Sequence, residues 1–456
     1  MSWLLLPMLL VLMTSSIGFA QADEAPDAEA GAGDPRIEEG GGDEDVELLR
    51  DLRHHREWLE GWALELDFMY IGDYLVNTRG GIDQDDAFLG NLDMTLTWHT
   101  EPVLGRDFGT FFFYGLYDHG DRPSDDVGDL QVLDNIEAPD AARLYEAWWQ
   151  KTFFDDRASL LLGLYDLNSE FYVVQSALVF LHSSFGIGAA LGNSGRNGPS
   201  IFPASSLAAR LKVVLDHDWE LQAAVLDGVP GDPDRSPGTR IRFGEDDGVL
   251  AIAEVAHTWR PIPEVAGGSV SRTPRRRAIG RAIEARPYAL RVAAGSWVYS
   301  ARRDHLSSTV ADGSPERERG HPGFYATADL DASVLDPFGS RGLAVFLQLG
   351  WADEDIEPFE AYVGGGITYT GLLPWRREDV LGVAVAAAFA GNGLQGSIRA
   401  DGGRPATAET AIEWTYRARI RSWLHIQGDL QYIVDPGVRR DRPDALVAGL
   451  RFIVSL

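Results

Sequence analysis

The sequence predicts an all-β fold: a transmembrane antiparallel up-and-down β-barrel of about sixteen strands, with a long loop folded into the lumen. Three observations predict it. Apolar and polar residues alternate with period two along most of the chain, the connections alternate between long and short, and one long connection is too aromatic to remain in water.

The 456 residues suffice for two or three soluble domains or for one large barrel. The absence of cysteine excludes a disulfide framework and thiolate chemistry. A formal charge of −29 argues against nucleic acid as a partner, because phosphate binding needs a concentrated basic surface. Residues 1–22 read as a signal peptide: an apolar run from Trp3 to Met13, then Thr14-Ser15-Ser16, then small residues that place cleavage after Ala20 or Ala22. Beyond it no uncharged apolar segment reaches the roughly twenty residues that a membrane helix needs. An exported soluble protein or an outer-membrane barrel remain.

Residues 23–47 are almost entirely Ala, Gly, Pro, Asp and Glu with Arg36 as the one basic side chain, and they are expected to form an acidic disordered tail. Residues 48–61 make a short helical or irregular lead-in. His54 and His55 are adjacent there and point to different faces, which makes a poor metal site. No metal or cofactor is expected.

The barrel domain is expected over 62–456. Trp62, Leu64, Leu66, Phe68 and Tyr70 share one face of a strand while Glu65 and Asp67 occupy the other. Leu92, Met94, Leu96 and Trp98 oppose Asn91, Asp93, Thr95, Thr97 and His99 in the same way. The pattern returns with Ile412, Trp414 and Tyr416 against Glu413, Thr415 and Arg417, and with Leu424, Ile426, Leu430 and Tyr432 against His425, Gln427, Asp429 and Gln431. A soluble sandwich alternates too. Aromatics at strand ends, charges on the faces that a packed core would reject, and the alternation of loop lengths favour the membrane.

Strands are expected near 62–72, 88–99, 108–117, 141–153, 158–166, 206–215, 219–227, 248–259, 287–300, 321–333, 342–352, 359–371, 380–390, 407–418, 422–432 and 443–456. Odd-numbered strands are mostly followed by long loops, even-numbered ones by tight turns such as 154–157 and 216–218. The exception is 260–286, with Arg272, Arg275, Arg276, Arg277 and Arg281, read as a solvated insertion. The final segment alternates to its last residue, as a barrel-closing strand would.

The connection between the strands near 158–166 and 206–215 is about forty residues long. Gly, Asn, Ser and Pro forbid a long regular element, yet it carries Phe171, Tyr172, Phe180, Phe185 and Phe202. Connections this long are uncommon in compact domains and are usually functional or disordered. So apolar a loop must bury itself, and the inside of the barrel is the available cavity.

The segments GTFFFYGLYDHGDRPSDDVGD, ARLYEAWWQKTFFDDR, GLYDLNSEFY, SGRNGPSIFP, QAAVLDGVPGDP, TYTGLLPWRREDVLGVAVA and DLQYIVDPG resemble the carbohydrate-selective porins, the OprB family, over about 62–456. The chain departs from the family pattern at Asp118-His119-Gly120-Asp121, at Gln131-Val132 and at its final Leu456. The resemblance implies a cell outer-membrane barrel that admits small sugars such as glucose by diffusion into the periplasm, without cofactor or energy source. It implies outer-membrane lipid around it and leaves room for a homotrimer.

A sugar presents hydroxyls that need donors and acceptors, and C–H faces that pack on aromatic rings. The long loop offers Asn168, Glu170, Tyr172, Arg196 and Asn197; the earlier loop and strand offer Asn135, Glu137, Arg143 and Glu146. Glu170 and Arg196, with barrel arginines such as Arg143, are expected to line the narrowing, and Tyr172 or Trp148 to give the stacking face. Asp227-Gly228 and 230–233 read as turn-formers. The main alternative is a non-selective or ion-selective porin on the same barrel. An enzyme is disfavoured, since the chain has no Gly-x-Ser-x-Gly elbow, no His-Glu-x-x-His and no P-loop.

Overall fold

The computed structural model describes residues 59, 61–216, 218–232, 238–259, 289–309, 315–332 and 341–455. The expected signal peptide, acidic tail, nearly all of the lead-in and the arginine-rich 260–286 lie outside the described residues.

Sixteen strands close into a barrel. They are β1 Leu64–Arg79, β2 Asp86–His99, β3 Thr110–Gly120, β4 Ala141–Phe153, β5 Ala158–Tyr165, β6 Ser206–Val214, β7 Trp219–Asp227 and β8 Val249–Trp259. Then follow β9 Leu290–Thr309, β10 Pro315–Asp331, β11 Gly342–Trp351, β12 Phe359–Thr370, β13 Val380–Ala390, β14 Ala408–Arg421, β15 Leu424–Val434 and β16 Ala445–Ser455. Each pairs antiparallel with its neighbours in sequence, and β1 pairs with β16. Full closure leaves no unpaired edge, which is what lets strands cross a bilayer.

The period-two pattern decides which side meets lipid. Leu66, Phe68, Leu162, Leu211, Leu347, Val385 and Leu450 are exposed on the outer face. Asp73, Asn91, Arg210, Glu254, Asp329, Gln348, Glu413, Gln427 and Arg451 are buried on the inner one. A soluble fold would invert this arrangement. The turns after β4, β6 and β14 are short, whereas β3 and β5 are followed by the long connections 121–140 and 166–205.

Three strands run further than their hydropathy pattern does. β1 continues to Arg79, and β9 and β10 extend through 309 and from 315 as a paired ribbon. Beyond the lipid, successive residues such as Arg302, Arg303, Asp304 and His305 are polar on both faces. The ladder persists there while the alternation that marks it disappears.

The long connections fold inward. Phe171, Val174, Phe180, Leu181, Phe185 and Leu191 are buried against Tyr325, Phe346, Tyr362 and the small inward residues Ala384, Ala386 and Ala388. A full aromatic side chain removed from water stabilises by about 1.5–3 kcal/mol. The wall makes room for these rings: a Cβ on Gly382 would sit 2.8 Å from Cζ of Phe180. The shorter inward connection is tied to the seam of the barrel. Arg451 on β16 donates to Asp73 on β1 at 2.6–3.0 Å, and to Asp134 of 121–140 at 2.9 Å, with all three side chains fully buried.

Candidate functional site

A loop without long helices or strands must find partners for its backbone elsewhere. Here the barrel wall supplies them. Glu254 on β8 accepts the Tyr172 N–H at 2.9 Å, and Asp329 on β10 accepts those of Gln175 and Ser176 at 2.8 and 3.2 Å. Glu413 on β14 takes the N–H groups of Leu181 and His182 at 2.7 and 3.0 Å. In the opposite sense, Gln348 and Gln427 donate their amides to the carbonyls of Phe185 and Val179. Glu409 does for 121–140 what Glu413 does for 166–205, accepting from Leu130, Gln131 and Gly437. Wall carboxylates and amides therefore set where the loop runs.

At its start the loop carries a charged cluster. Glu170 accepts from Nε of Arg210 at 2.6 Å, from Nζ of Lys212 at 2.6 Å and from the Tyr165 hydroxyl at 2.9 Å. Arg210 also donates to Gln150 and Ser159, and Lys212 lies 3.7 Å from Glu220. Burial alone would raise the Glu170 carboxyl, but Arg210 and Lys212 overcome it and hold it at about 2. Arg210 is 1 % exposed while Lys212 and Glu170 are 16 % and 14 % exposed. With β6 presenting them inward, that accessible part faces the lumen.

The other expected residues are distributed differently. Arg196 is more than half exposed and stands 4.0 Å from Asp247, and Asn197 donates to the Pro230 carbonyl. Both therefore sit with the connection 228–248, not beside Glu170. Arg143 binds the carbonyls of Pro203 and Pro139 and lies 3.5 Å from Asp118. It ties the two inward connections together. Asn168 donates to the Phe171 and Gly186 carbonyls, and Asn135 joins Phe180 to Arg451. Glu137 accepts the Ser124 N–H, and Glu146 accepts from Trp148 Nε1 and the Asp166 N–H.

Neither expected stacking face is open. Tyr172 is buried with its ring 4.6 Å from that of Tyr325, at a φ of 64° sparsely populated by residues with a side chain. Trp148 is buried too, stacked 4.8 Å from Phe112. Large rings inside a barrel gain more by packing against each other than by facing water, so these two serve the scaffold.

The model of the carbohydrate-selective porin, OprB family, matches residues 83–456. The chain belongs to this family. It is similar to Porin B of Pseudomonas aeruginosa, 23 % identical over an aligned length of 426 residues that covers 86 % of this chain and 87 % of that protein. Among solved structures, the high-pH structure of Pseudomonas putida OprB superposes with a TM-score of 0.73 at 18 % identity, covering 89 % of this chain and 97 % of that one. The low-pH structure of the same protein gives 0.53 at 16 % identity over the same shares.

This OprB-family porin is an outer-membrane channel protein, and its inner wall carries residues that the motifs did not single out. Arg210 and Lys212 stand two apart on β6 with Ala209 and Leu211 on the other face. Strand alternation alone points both cations into the lumen. The wall carboxylates Glu254, Asp329, Glu409 and Glu413 likewise alternate with lipid-facing apolar residues. Their backbone partners lie between 28 and 279 residues away in sequence, from Gly437 to Leu130 on Glu409 with Tyr172 and Ser176 between, and nothing local announces them.

Proposed function

We propose that this porin gives passive, carbohydrate-selective diffusion of small neutral sugars such as glucose into the periplasm, past Glu170, Lys212 and Arg210. The observation that carries the reading is the Glu170 carboxylate held between two cations, with part of the Glu170 and Lys212 side chains exposed. A sugar hydroxyl both donates and accepts, so one group can bond Glu170 and Lys212 together. The charges already neutralise one another. A passing hydroxyl therefore exchanges one hydrogen bond for another instead of meeting a bare charge, and it is released as readily as it is taken up. A monovalent ion has no such two-sided match.

Liposome swelling with the refolded chain tests the reading, using glucose, a disaccharide and an uncharged non-sugar solute of matched size. Faster entry of glucose than of the matched solute supports selectivity. Equal entry would leave a general pore and sink the sugar claim.

A further inference from the structure

We propose that the short-turn rim of the barrel holds a binding site for the phosphate headgroup of an anionic phospholipid, at the turns 371–379 and 422–423. These connections follow even-numbered strands, on the side of the short turns, which in outer-membrane barrels is the periplasmic side. The first turn touches the end of β14 that leads into the second: Arg376 Nη2 donates to the Arg419 carbonyl at 3.2 Å, and Arg419 Nη1 reaches Glu378 at 2.6 Å. Arg376 is itself paired with Asp379 at 2.6 Å, and Asp379 also accepts from the Tyr416 hydroxyl. Both carboxylates are thereby consumed. Arg377 and Arg421 remain, exposed and with no carboxylate partner among the described residues.

Two further observations say what these guanidinium groups face. Trp375 is 77 % exposed and Trp423 42 %, flanked by the exposed Leu372. The patch is continuous with the outer wall, where Ile367 and Val383 meet lipid. Indoles that are apolar in body and polar at the tip settle at the headgroup level, where the neighbouring charges are phosphates. Guanidinium binds phosphate through two parallel N–H bonds, which ammonium cannot do.

The rim is not uniform. The turns 154–157 and 215–218 lie on the same side and also expose apolar residues, Phe154 and Leu215. They carry Asp155, Asp156, Asp216 and Asp218 against Arg157. A general membrane girdle would give every sector the same character, whereas here the charge is basic beside β12 to β15 and acidic beside β4 to β7. Anionic lipid is drawn to one sector and repelled from the other.

Native mass spectrometry of the full chain, with phosphatidylglycerol or phosphatidylcholine added to the detergent-purified protein, reads this directly. Phosphatidylglycerol is expected to stay bound at collision energies that strip phosphatidylcholine. Its retention should fall about fivefold for each guanidinium removed in Arg377→Ala and Arg421→Ala. Asp155→Ala combined with Asp156→Ala should leave that lipid in place at its wild-type level or above. Heat-modifiable migration on a gel verifies the barrel of each variant; if an alanine variant fails it, Arg377→Gln and Arg421→Gln take its place. Equal retention of the two lipids, or undiminished phosphatidylglycerol on the arginine variants, overturns the site. Displacement of the lipid by millimolar inorganic phosphate would overturn it as well, reducing it to a plain anion site.

Discussion

The same loop has two unlike neighbours. Against β10 to β13 it buries Phe180 and Phe185 on a wall of Ala and Gly, and that half of the lumen is a hydrophobic core. Against β5 and β6 it presents Glu170 to Arg210 and Lys212, and that half is polar and partly open. The comparison teaches that packed rings, together with wall carboxylates and amides, seat the loop on one side, while the proposed solute path runs along the other. Either can therefore be altered without the other.

The largest effect is expected from breaking the apolar half. Phe180→Ala removes a fully buried ring and should cost about 3–5 kcal/mol locally. Single-channel conductance is the measurement: it should rise and lose uniformity as the loop leaves the wall. Next comes Glu413→Ala, which leaves the N–H groups of Leu181 and His182 buried without an acceptor, at about 1–3 kcal/mol each. Conductance noise should grow there while heat-modifiable migration stays normal.

The polar half is tested by Lys212→Ala, expected to change glucose entry severalfold in liposome swelling with the conductance in salt barely altered. Unchanged sugar entry would remove Lys212 from the path. The pH profile sharpens the point. Glu170 is held at about 2, below its ordinary 4.5, so its contribution is complete above pH 4.5 and is lost as pH falls through about 2. Glucose entry should thus be flat from neutral pH down to about 4.5 and decline only in the window below. Smallest of all is Arg196→Ala: an exposed side chain 4.0 Å from its partner should contribute under about 1 kcal/mol, and swelling rates should match the unaltered chain.

The barrel was legible because lipid demands an apolar residue at every second position of a strand while the lumen admits polar ones, an alternation plain in β1, β2, β14 and β15. The alternation also suffices to place Arg210 and Lys212 inward, although no motif singles them out. It failed where the constraint stops, at the β9–β10 ribbon, where residues 302–305 are polar on both faces. The site was less legible. Glu170 is recognisable as a charged residue on an infolded loop, but the cations expected to line the narrowing with it are Arg196 of the same loop and barrel arginines such as Arg143. The true cations lie 40 and 42 residues on, across a connection whose path is set by wall carboxylates. Tyr172 and Trp148 read as open rings because composition does not tell a lining aromatic from a packed one.

The buried trio of Asp73, Asp134 and Arg451 joins events that are far apart along the chain. Until β16 docks on β1, Asp73 and Asp134 lack the guanidinium that pairs with both. Arrival of the last strand brings the single guanidinium that both need. Sealing the cylinder and seating the 121–140 connection thereby share one guanidinium.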